Sequence, residues 1–551
     1  MSTETSGSTT GTDAGPERTL REEVERRRTF AIISHPDAGK TTLTEKLLLF
    51  GGALREAGAV RGRRAEKHAT SDWLELEKQR GISVSSSVMH FDHGGSRVNI
   101  LDTPGHKDFS EDTYRTLTAA DSAVMLIDAA KGVEKQTRKL FEVCRMRGIP
   151  IFTFVNKMDR FGRDPLELMG EIEEVLGIDA VPVNWPVGEG KDFRGVYDRL
   201  AEKLILFSGG NHGRDLLDED IVEGGLGSPA FEAAIGTQAE ALTDSLELLD
   251  GAGAEFSLDR VRQGELTPMF FGSALTNFGV SPFLERFLEM APCPPARESD
   301  HGPIDPASEE FSGFVFKIQA NMDKDHRDRV AFVRVCSGRF AKGNTTRHVR
   351  TNKPIRMANS TLLMGRDRAE MMEAFPGDVV GLFDPGVFGI GDTLCDSGSF
   401  NFPGIPSFSP ECFVRVEVSA VAKRKSLEKG IDQLVQEGAV QLFREPGGGS
   451  ATLILGAVGQ LQFDVFRHRL KNEYSVDPGL TQLDYRLARW PQGEFDEDIF
   501  RFSERVRIFE DRDRHPVLLA KSEWDLKRIE EKHPELKLAE TADPTRLSAS
   551  R

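Results

Sequence analysis

This sequence of 551 residues has few cysteines and no long apolar run. No stretch approaches the ~18 consecutive apolar residues of a membrane span, and the N-terminus lacks the charged and apolar parts of a secretory signal. We therefore expect a cytoplasmic protein without a membrane partner. The cysteines stand singly, without a CxxC pair or Cys/His cluster, which argues against a zinc site and a disulfide framework: Cys144, Cys293, Cys336, Cys395 and Cys412.

Positive charge is also in short supply. The chain has 71 Lys and Arg against 88 Asp and Glu, for a net charge of −17. Because binding to nucleic-acid phosphates is driven by cations, this balance argues against a general nucleic-acid coat, and we expect no DNA partner. The net charge does not exclude contact with RNA through local basic patches.

The length of the chain predicts three or four domains.

The chain is organised around the octet from Ser34 to Thr41. An apolar run, Thr29 to Ile33, precedes it, and a helical pattern, Thr42 to Phe50, follows it. A strand, a tight loop and a helix N-terminus form a phosphate cradle, because backbone N–H groups turn inward where the helix dipole favours an anion. Lys40 is expected to reach the β- and γ-phosphates. Taken alone, the octet equally fits an ordinary strand-to-helix turn, since its first residue is not glycine.

Two further motifs follow apolar runs. The run Val98 to Leu101 leads into Asp102-Thr103-Pro104-Gly105-His106. A carboxylate at the end of a parallel strand suits a Mg²⁺ role, so we expect Asp102 to bind the ion with the Thr41 hydroxyl. Gly105 lets a backbone N–H approach the γ-phosphate closely. His106 stands where a side chain can orient an attacking water.

The motif Asn156-Lys157-Met158-Asp159 follows the apolar run Ile151 to Val155 and predicts the base. Guanine presents adjacent N1–H and N2–H₂ donors, and a carboxylate such as Asp159 accepts both. Adenine has no exocyclic amine at that position. Asn156 and Lys157 are expected to brace the loop and cover the base.

A later run, Met269 to Phe271, leads into Gly272-Ser273-Ala274-Leu275. A backbone N–H near Ala274 is expected to donate to the guanine O6. Without a ligand, the same run reads as a buried strand and turn.

A long polar segment, Gly51 to Arg80, separates the first two motifs and ends in Arg80-Gly81-Ile82-Ser83. A loop of this length is usually functional or disordered. As a nucleotide switch it would order only with a γ-phosphate present, and Ser83 would complete the Mg²⁺ shell. A flexible surface insertion is the alternative. Together, the motifs predict an α/β domain with a parallel-rich sheet and ligands at the strand C-termini.

The segments SHPDAGKT, RGIS, DTPGH, NKMD and SAL resemble the motif series of translational GTPases. Longer segments are similar to the bacterial peptide chain release factor 3 family from about Thr29 to about Trp490: SDWLELEKQRGISV, LDTPGHKDFSEDTYRTLTAADSAVMLIDAAKGVE and FKIQANMDKDHRDRVAF. Pro36 departs from the branched apolar residue that screens the catalytic water in many relatives.

The resemblance implies a ribosome-dependent GTPase of translation termination that promotes dissociation of class-1 release factors after peptide release. Its cofactors would be GTP or GDP and Mg²⁺, and its partners the ribosome, through ribosomal RNA and protein, and class-1 release factors. We expect a monomer. Two alternatives stay open: another ribosome-bound translational GTPase, translocase-like or protecting the ribosome, and a GTP-sensing ribosome assembly module.

The expected site residues fall into three groups. His106 and Lys40 are the catalytic pair, and Thr41, Ser83 and Asp102 are the Mg²⁺ ligands. The expected nucleotide contacts are Ser34, His35, Pro36, Asp37, Ala38, Gly39, Lys40, Thr41, Thr42, Asp102, Thr103, Pro104, Gly105, His106, Asn156, Lys157, Met158, Asp159, Ser273, Ala274 and Leu275.

Proline-rich joints and changes of pattern divide the rest of the chain. Short β-like runs after Pro292 predict a β-barrel, and a β-α-β-β-α order after Pro410 predicts an α+β domain of split βαβ type. A helical span is expected over 228–249 and one helix over 523–532. The predicted organisation is a disordered tail (1–27), a GTPase domain (28–291) with an inserted subdomain (about 185–265), a linker (292–310), a β-barrel domain (311–400), a linker (401–411), an α+β domain (412–540) and a tail (541–551).

Three basic clusters stand out on this acidic chain. Each is typical of a solvated face, but the resemblance to a ribosome-binding family favours contact with ribosomal RNA phosphates. The clusters are Arg347/Arg350/Lys353/Arg356, Lys423/Arg424/Lys425 and Arg467/Arg469/Lys471.

Overall fold

The computed structural model describes residues 18–52, 86–208, 218–223, 225–320, 329–357, 360–364, 367–405, 407–417, 423–446, 453–493, 495–496, 500, 503 and 505–542. The predicted Mg²⁺ ligand Ser83 and most of the predicted switch segment lie outside these ranges. So do residues 1–17 and 543–551 of the predicted tails. No helix in the described ranges is long and apolar enough to cross a membrane.

The first domain is built on strands β1 (Arg27–Ser34), β2 (Ser87–His93), β3 (Ser96–Asp102), β4 (Ser122–Asp128), β5 (Ile151–Asn156), β6 (Asp179–Pro182), β7 (Asn184–Val187), β8 (Gly195–Asp198), β9 (Lys203–Ser208), β10 (Asp218–Val222) and β11 (Leu266–Phe271). A seven-stranded sheet has the order β2-β3-β1-β4-β5-β11-β6. Strand β2 pairs antiparallel with β3, and the other neighbours are parallel. The predicted parallel-rich α/β sheet is confirmed.

The helices of this domain are α1 (Leu20–Glu25), α2 (Lys40–Phe50), α3 (Ser110–Thr118), α4 (Lys135–Met146), α5 (Pro165–Leu176), α6 (Pro229–Ile235), α7 (Gln238–Ala252), α8 (Leu258–Arg262) and α9 (Val280–Met290). Helix α1 begins with a capping box between Thr19 and Glu22. A disordered tail reaching residue 27 is therefore wrong for residues 20–25, because paired end groups stabilise this short helix.

Aromatic side chains fill the space between the sheet and α9. Phe287 on α9 makes edge-to-face contacts with Phe30 and Phe152, at centroid distances of 4.6 and 4.8 Å. Central strands of a parallel sheet are buried on both faces, which explains their near-continuous apolar runs. This packing holds the carboxyl ends of β1, β3, β4 and β5 at one edge, where the predicted site residues begin.

The inserted region forms a separate antiparallel sheet of β7 to β10, accompanied by α6 and α7. The helical span expected over 228–249 is present as two helices, because Gly236, at φ 57°, separates α6 from α7. A left-handed residue ends a helix, and glycine adopts that conformation at little cost.

The second domain contains β12 (Arg297–Ser299), β13 (Gly302–Ile304), β14 (Ser312–Ala320), β15 (Arg329–Ser337), β16 (Phe340–Ala341), β17 (Thr345–His348), β18 (Lys353–Arg356), β19 (Ser360–Met364), β20 (Asp367–Glu370), β21 (Glu373–Ala374), β22 (Val379–Phe383) and β23 (Thr393–Cys395). Eight of these strands form an antiparallel sheet in the order β18-β17-β23-β14-β15-β22-β19-β20. The predicted β-barrel domain is confirmed, with its core around Val315, Val333 and Val380.

The C-terminal domain contains β24 (Ser407–Phe408), β25 (Cys412–Glu417), α10 (Arg424–Gln436), β26 (Gln441–Arg444), β27 (Leu453–Ala457), α11 (Gln460–Tyr474), β28 (Gly479–Leu483), β29 (Leu487–Gln492), β30 (Val506–Glu510), β31 (Pro516–Ala520), α12 (Glu523–Lys532), β32 (Lys537–Ala539) and β33 (Thr541–Ala542). The predicted β-α-β-β-α order and the helix over 523–532 are confirmed. Strands β28 to β32 were not predicted, and these five extend the three predicted strands to a sheet of eight.

Candidate active site

The loop after β1 has the backbone geometry of a phosphate cradle. Asp37 has φ 67° and Gly39 has φ 101°, so the chain turns sharply before α2 begins at Lys40. A side chain at Gly39 would overlap the amide of Asn156, so glycine is required there by both its φ and the close approach. The first N–H groups of α2 therefore lie at the carboxyl edge of the sheet, as the octet predicted.

Lys40 and Asp102 lie together at the centre of this edge. Both are buried, and the Lys40 ammonium contacts Oδ1 of Asp102. The other carboxylate oxygen, Oδ2, is buried without a hydrogen-bond partner among the residues that the structure describes, and so is the Ser34 hydroxyl. A buried carboxylate oxygen needs a partner. Its position beside the cradle fits a Mg²⁺ ion with its waters, since Mg²⁺ prefers oxygen ligands.

Asn156 locks three motifs together. Its Nδ2 donates to the Ala38 carbonyl over 2.8 Å, and its Oδ1 accepts from the Ala274 N–H over 2.9 Å. The phosphate loop, the end of β5 and the loop after β11 are therefore joined by one buried amide. A backbone N–H near Ala274 was predicted as the donor to guanine O6. In this structure the Ala274 N–H donates to Asn156, and the contact of a nearby backbone N–H with guanine stays a prediction.

Lys157 follows at φ 70°, and its ammonium is held from two sides. It donates to the Asp37 carbonyl over 2.6 Å and to Oδ2 of Asp128 over 2.7 Å. Burial raises the pKa of Asp128, but the hydrogen bonds from Lys157 and from the Ala130 N–H outweigh it, and the pKa lies below its usual value. Asp128 follows the apolar run Ser122 to Ile127, and no role was predicted for it from the sequence. Its position at the same edge as Asp102 and Asn156 was the available signal.

Asp159, the predicted guanine acceptor, is held by its neighbour across the base loop. Its Oδ1 accepts a hydrogen bond from the Ser273 hydroxyl over 2.6 Å. Ser273 is fully buried, whereas Leu275, two residues on, is half exposed at 51%. The tetrad and the segment 273–275 are thus adjacent, as expected of two parts of one base pocket.

His106 lies at the loop between β3 and α3, about one-third exposed. Its Nδ1 faces Asp108, 3.3 Å from the backbone nitrogen and 3.4 Å from Oδ1. Thr103, which precedes it, is buried and donates to the Ile32 carbonyl over 2.6 Å. On the other side of the site, His35 Nδ1 lies 3.0 Å from Glu134.

The predicted residues thus converge, except for Ser83, which is not described. The strand ends and the α2 N-terminus bring together Ser34, His35, Pro36, Asp37, Ala38, Gly39, Lys40, Thr41, Thr42, Asp102, Thr103, Pro104, Gly105, His106, Asn156, Lys157, Met158, Asp159, Ser273, Ala274 and Leu275. Their roles toward a nucleotide stay predictions.

The three basic clusters singled out in the sequence differ in exposure. Arg469 is buried and donates to both Glu437 and Glu473, over 2.7 and 2.6 Å. The two carboxylates offset the effect of burial and keep the pKa of its guanidinium raised. Arg469 therefore joins elements within the protein, and its prediction as an RNA contact is wrong. Lys353 and Arg356 on β18 are exposed.

Three family models match consecutive parts of the chain. Residues 25–293 match the elongation factor Tu GTP binding domain, residues 310–397 match elongation factor G domain 2, and residues 402–530 match the C-terminal domain of class II release factor RF3. The first two domains are common to translational GTPases. The third model separates this chain from elongation factors.

Curated relatives match over nearly the whole length. The peptide chain release factor 3 of Symbiobacterium thermophilum is 55% identical over 525 residues, covering 95% of this chain and 99% of the relative. That of Acaryochloris marina is 53% identical, covering 95% and 97%. A crystal structure from Thermus thermophilus has a TM-score of 0.65 at 24% identity, covering 85% of this chain and 70% of that one, which shows a shared fold. The chain therefore belongs to the peptide chain release factor 3 family of translational GTPases.

Proposed function

We propose that this protein is a ribosome-stimulated GTPase that promotes dissociation of class-1 release factors from the ribosome after peptide release. The observation that carries this proposal is the match of residues 402–530 to the release-factor C-terminal domain. It stands beside near full-length identity to relatives named peptide chain release factor 3. A translocase-like factor would share the first two domains but not this one.

GTP hydrolysis needs stabilisation of charge on the transferring phosphoryl group. Lys40 and the N–H groups at the start of α2 supply fixed positive charge there. Asp102 and Thr41 would hold Mg²⁺, which when bound neutralises charge on the phosphate oxygens. His106 orients the attacking water. We propose that its productive orientation depends on the ribosome, so that the free protein hydrolyses GTP slowly.

Guanine selectivity is assigned to Asp159. Replacing it by alanine removes the acceptor for two guanine donors, so affinity for GDP should fall by about a hundredfold or more. The measurement is a fluorescence titration with labelled GDP. Asp164→Ala is the matched control, because Asp164 caps α5 nearby and should leave affinity unchanged. Equal affinities of the Asp159 variant and the unaltered protein would contradict the assignment.

The function itself is tested by two assays run together. Turnover of GTP should rise on adding ribosomes, and labelled class-1 release factor should leave a post-release ribosome complex only when this protein and GTP are present. His106→Ala should lose the stimulated turnover while still binding GTP. Stimulated turnover without factor dissociation would favour the alternative of a ribosome assembly module.

We place one ribosome contact on the barrel hairpin β17–β18. Lys353 and Arg356 are exposed there and suit RNA phosphates, whereas Arg350 is already paired with Asp392 over 2.6 Å. Replacing both Lys353 and Arg356 by glutamate should weaken ribosome association and flatten its dependence on salt. Unchanged affinity and salt dependence would remove this contact from the proposal.

A further inference from the structure

Asp108 lies between His106 and the C-terminal domain. Its Oδ1 is 3.4 Å from Nδ1 of His106, and its Oδ2 accepts a hydrogen bond from the Leu461 N–H over 2.9 Å. Leu461 is the second residue of α11, in the C-terminal domain. One buried carboxylate of the GTPase domain is therefore in contact with the proposed catalytic histidine on one side and another domain on the other.

The start of α11 is suited to hold a carboxylate. The first N–H groups of a helix have no partner within the helix, and the helix dipole favours a negative charge there. The Gln462 side chain accepts from the Val458 and Gly459 N–H groups, and Asp108 accepts from the Leu461 N–H. Asp108 thus completes the N-terminal capping of a helix in another domain.

Gly459 makes this approach possible. A Cβ atom at this position would overlap the carboxylate of Asp108, closer than real Cβ contacts occur. Its φ of −147° is extended backbone that any residue adopts. The conformation therefore does not demand glycine. Glycine is required at position 459 because the Asp108 carboxylate occupies the space that a Cβ atom would fill.

The contact on the other side fixes one nitrogen of the histidine. The backbone N–H of Asp108 donates a hydrogen bond to Nδ1 of His106 over 3.3 Å, and Oδ1 of Asp108 lies at an ion-pair distance of 3.4 Å from the same nitrogen. No hydrogen bond joins Nε2 of His106 to any residue that the structure describes, which leaves this nitrogen for a water. A catalytic histidine whose other nitrogen is held by a third group is the usual arrangement for setting its orientation.

We propose that Asp108 is a positioning residue for His106, and that α11 fixes Asp108, so that docking of the C-terminal domain sets the orientation of the histidine. This inference rests on the proposed role of His106 in orienting water. It gives the C-terminal domain a part in hydrolysis, although none of the residues described in that domain contributes a group to the nucleotide cradle.

Gly459→Ala tests the inference from outside the GTPase domain. The added methyl group displaces the Asp108 carboxylate, and ribosome-stimulated kcat at saturating ribosomes should fall about tenfold or more. Affinity for GTP and GDP should stay unchanged, because the cradle and base loops are untouched. Gly170→Ala on α5 is the matched control, since a Cβ there meets nothing, and it should keep full turnover.

Variants of Asp108 complete the test. Asp108→Ala should lower kcat as Gly459→Ala does, and the double variant should be no slower than Asp108→Ala alone, because the overlap is gone. Asp108→Asn keeps an acceptor for the Leu461 N–H and should recover part of the rate. A merely structural role would instead lower thermal stability in step with the rate and give no such rescue.

Three results would overturn the inference. The first is unchanged ribosome-stimulated turnover in Gly459→Ala, and the second is an additive loss of kcat in the double variant. The third is a higher GTP turnover of these variants in the absence of ribosomes. Should Gly459→Ala fail to fold, the test is whether kcat of Asp108→Asn exceeds that of Asp108→Ala. His106→Ala is run in parallel. Full turnover in that variant would refute the proposed role of His106, whereas its loss beside active Asp108 and Gly459 variants would refute this inference alone.

Discussion

The GTPase domain meets its two neighbours in different ways. On the barrel side, Arg334 is fully buried and pairs with Asp121 over 2.6 Å, while it also donates to the Ala119 and Gly377 carbonyls. A second buried pair joins Arg27 of β1 to Asp378 over 2.9 Å. Charged side chains of both domains thus neutralise each other at this interface.

At the interface with the C-terminal domain, charged side chains of the GTPase domain form hydrogen bonds with backbone groups. Asp108 accepts from the Leu461 N–H, and Arg115 of α3 donates to the Gly438 carbonyl over 3.2 Å. Added Cβ atoms at Gly438 or Gly459 would overlap those two side chains. The charge of Arg115 is already balanced within α3 by Glu111, at 2.6 Å.

The difference indicates which domain is free to shift. Separating the barrel would leave buried charges without partners, at a cost of several kcal/mol for each. Separating the C-terminal domain breaks hydrogen bonds to backbone groups, worth about 1–3 kcal/mol each. It also breaks the edge-to-face contact between Tyr114 and Phe408, worth about 0.5–1.5 kcal/mol beyond its buried area. We therefore expect the GTPase and barrel domains to move as one body, and the C-terminal domain to be the part whose docking is adjustable.

The largest expected effect comes from breaking the barrel interface. Arg334→Met leaves the buried Asp121 with Arg297 as its remaining cation and should lower the free energy of unfolding by about 3 kcal/mol. Urea unfolding measures it. The control is Arg138→Met, whose partner Glu142 is as exposed as Arg138 itself, and which should cost below about 1 kcal/mol. Equal effects of the two variants would contradict the comparison.

A smaller effect is expected from pH on the barrel side. His90 on β2, the strand beside β19, is buried, and burial together with Arg97 lowers its pKa to about 4. The unfolded chain therefore takes up a proton below about pH 6.5, whereas the folded protein does so only near pH 4. Stability should fall as the pH drops through this window, by about 2 kcal/mol at pH 5 relative to pH 7.5.

His90→Gln removes this titration and supplies the comparison. Its free energy of unfolding should change less between about pH 7.5 and pH 5 than that of the unaltered protein. The same acid loss in both proteins would show that other groups cause it.

Contacts between domains could not be predicted from the sequence, whereas the motifs of the site could. The motifs around Lys40, Asp102 and Asn156 were predictable because phosphate and guanine chemistry demands certain residues at strand ends. The hydrogen bond from the Ala274 N–H to Asn156 was not predictable, because the two residues lie 118 positions apart. Arg469 looked like a surface charge because nothing local shows that Glu437 faces it. Strands β28 to β32 were missed because they are short and most of them contain polar or charged residues.

The smallest predicted effect concerns a single amide. The Leu461 N–H has no acceptor within α11, so its protection from hydrogen exchange depends on Asp108. In Asp108→Ala its exchange should quicken about tenfold, which corresponds to about 1.4 kcal/mol of lost local stability. The Leu166 N–H, which donates to Asp164 at the start of α5, is the matched control and should not change. Slow exchange of Leu461 in this variant would mean that the two domains are held together elsewhere, and the adjustable docking of the C-terminal domain would be wrong.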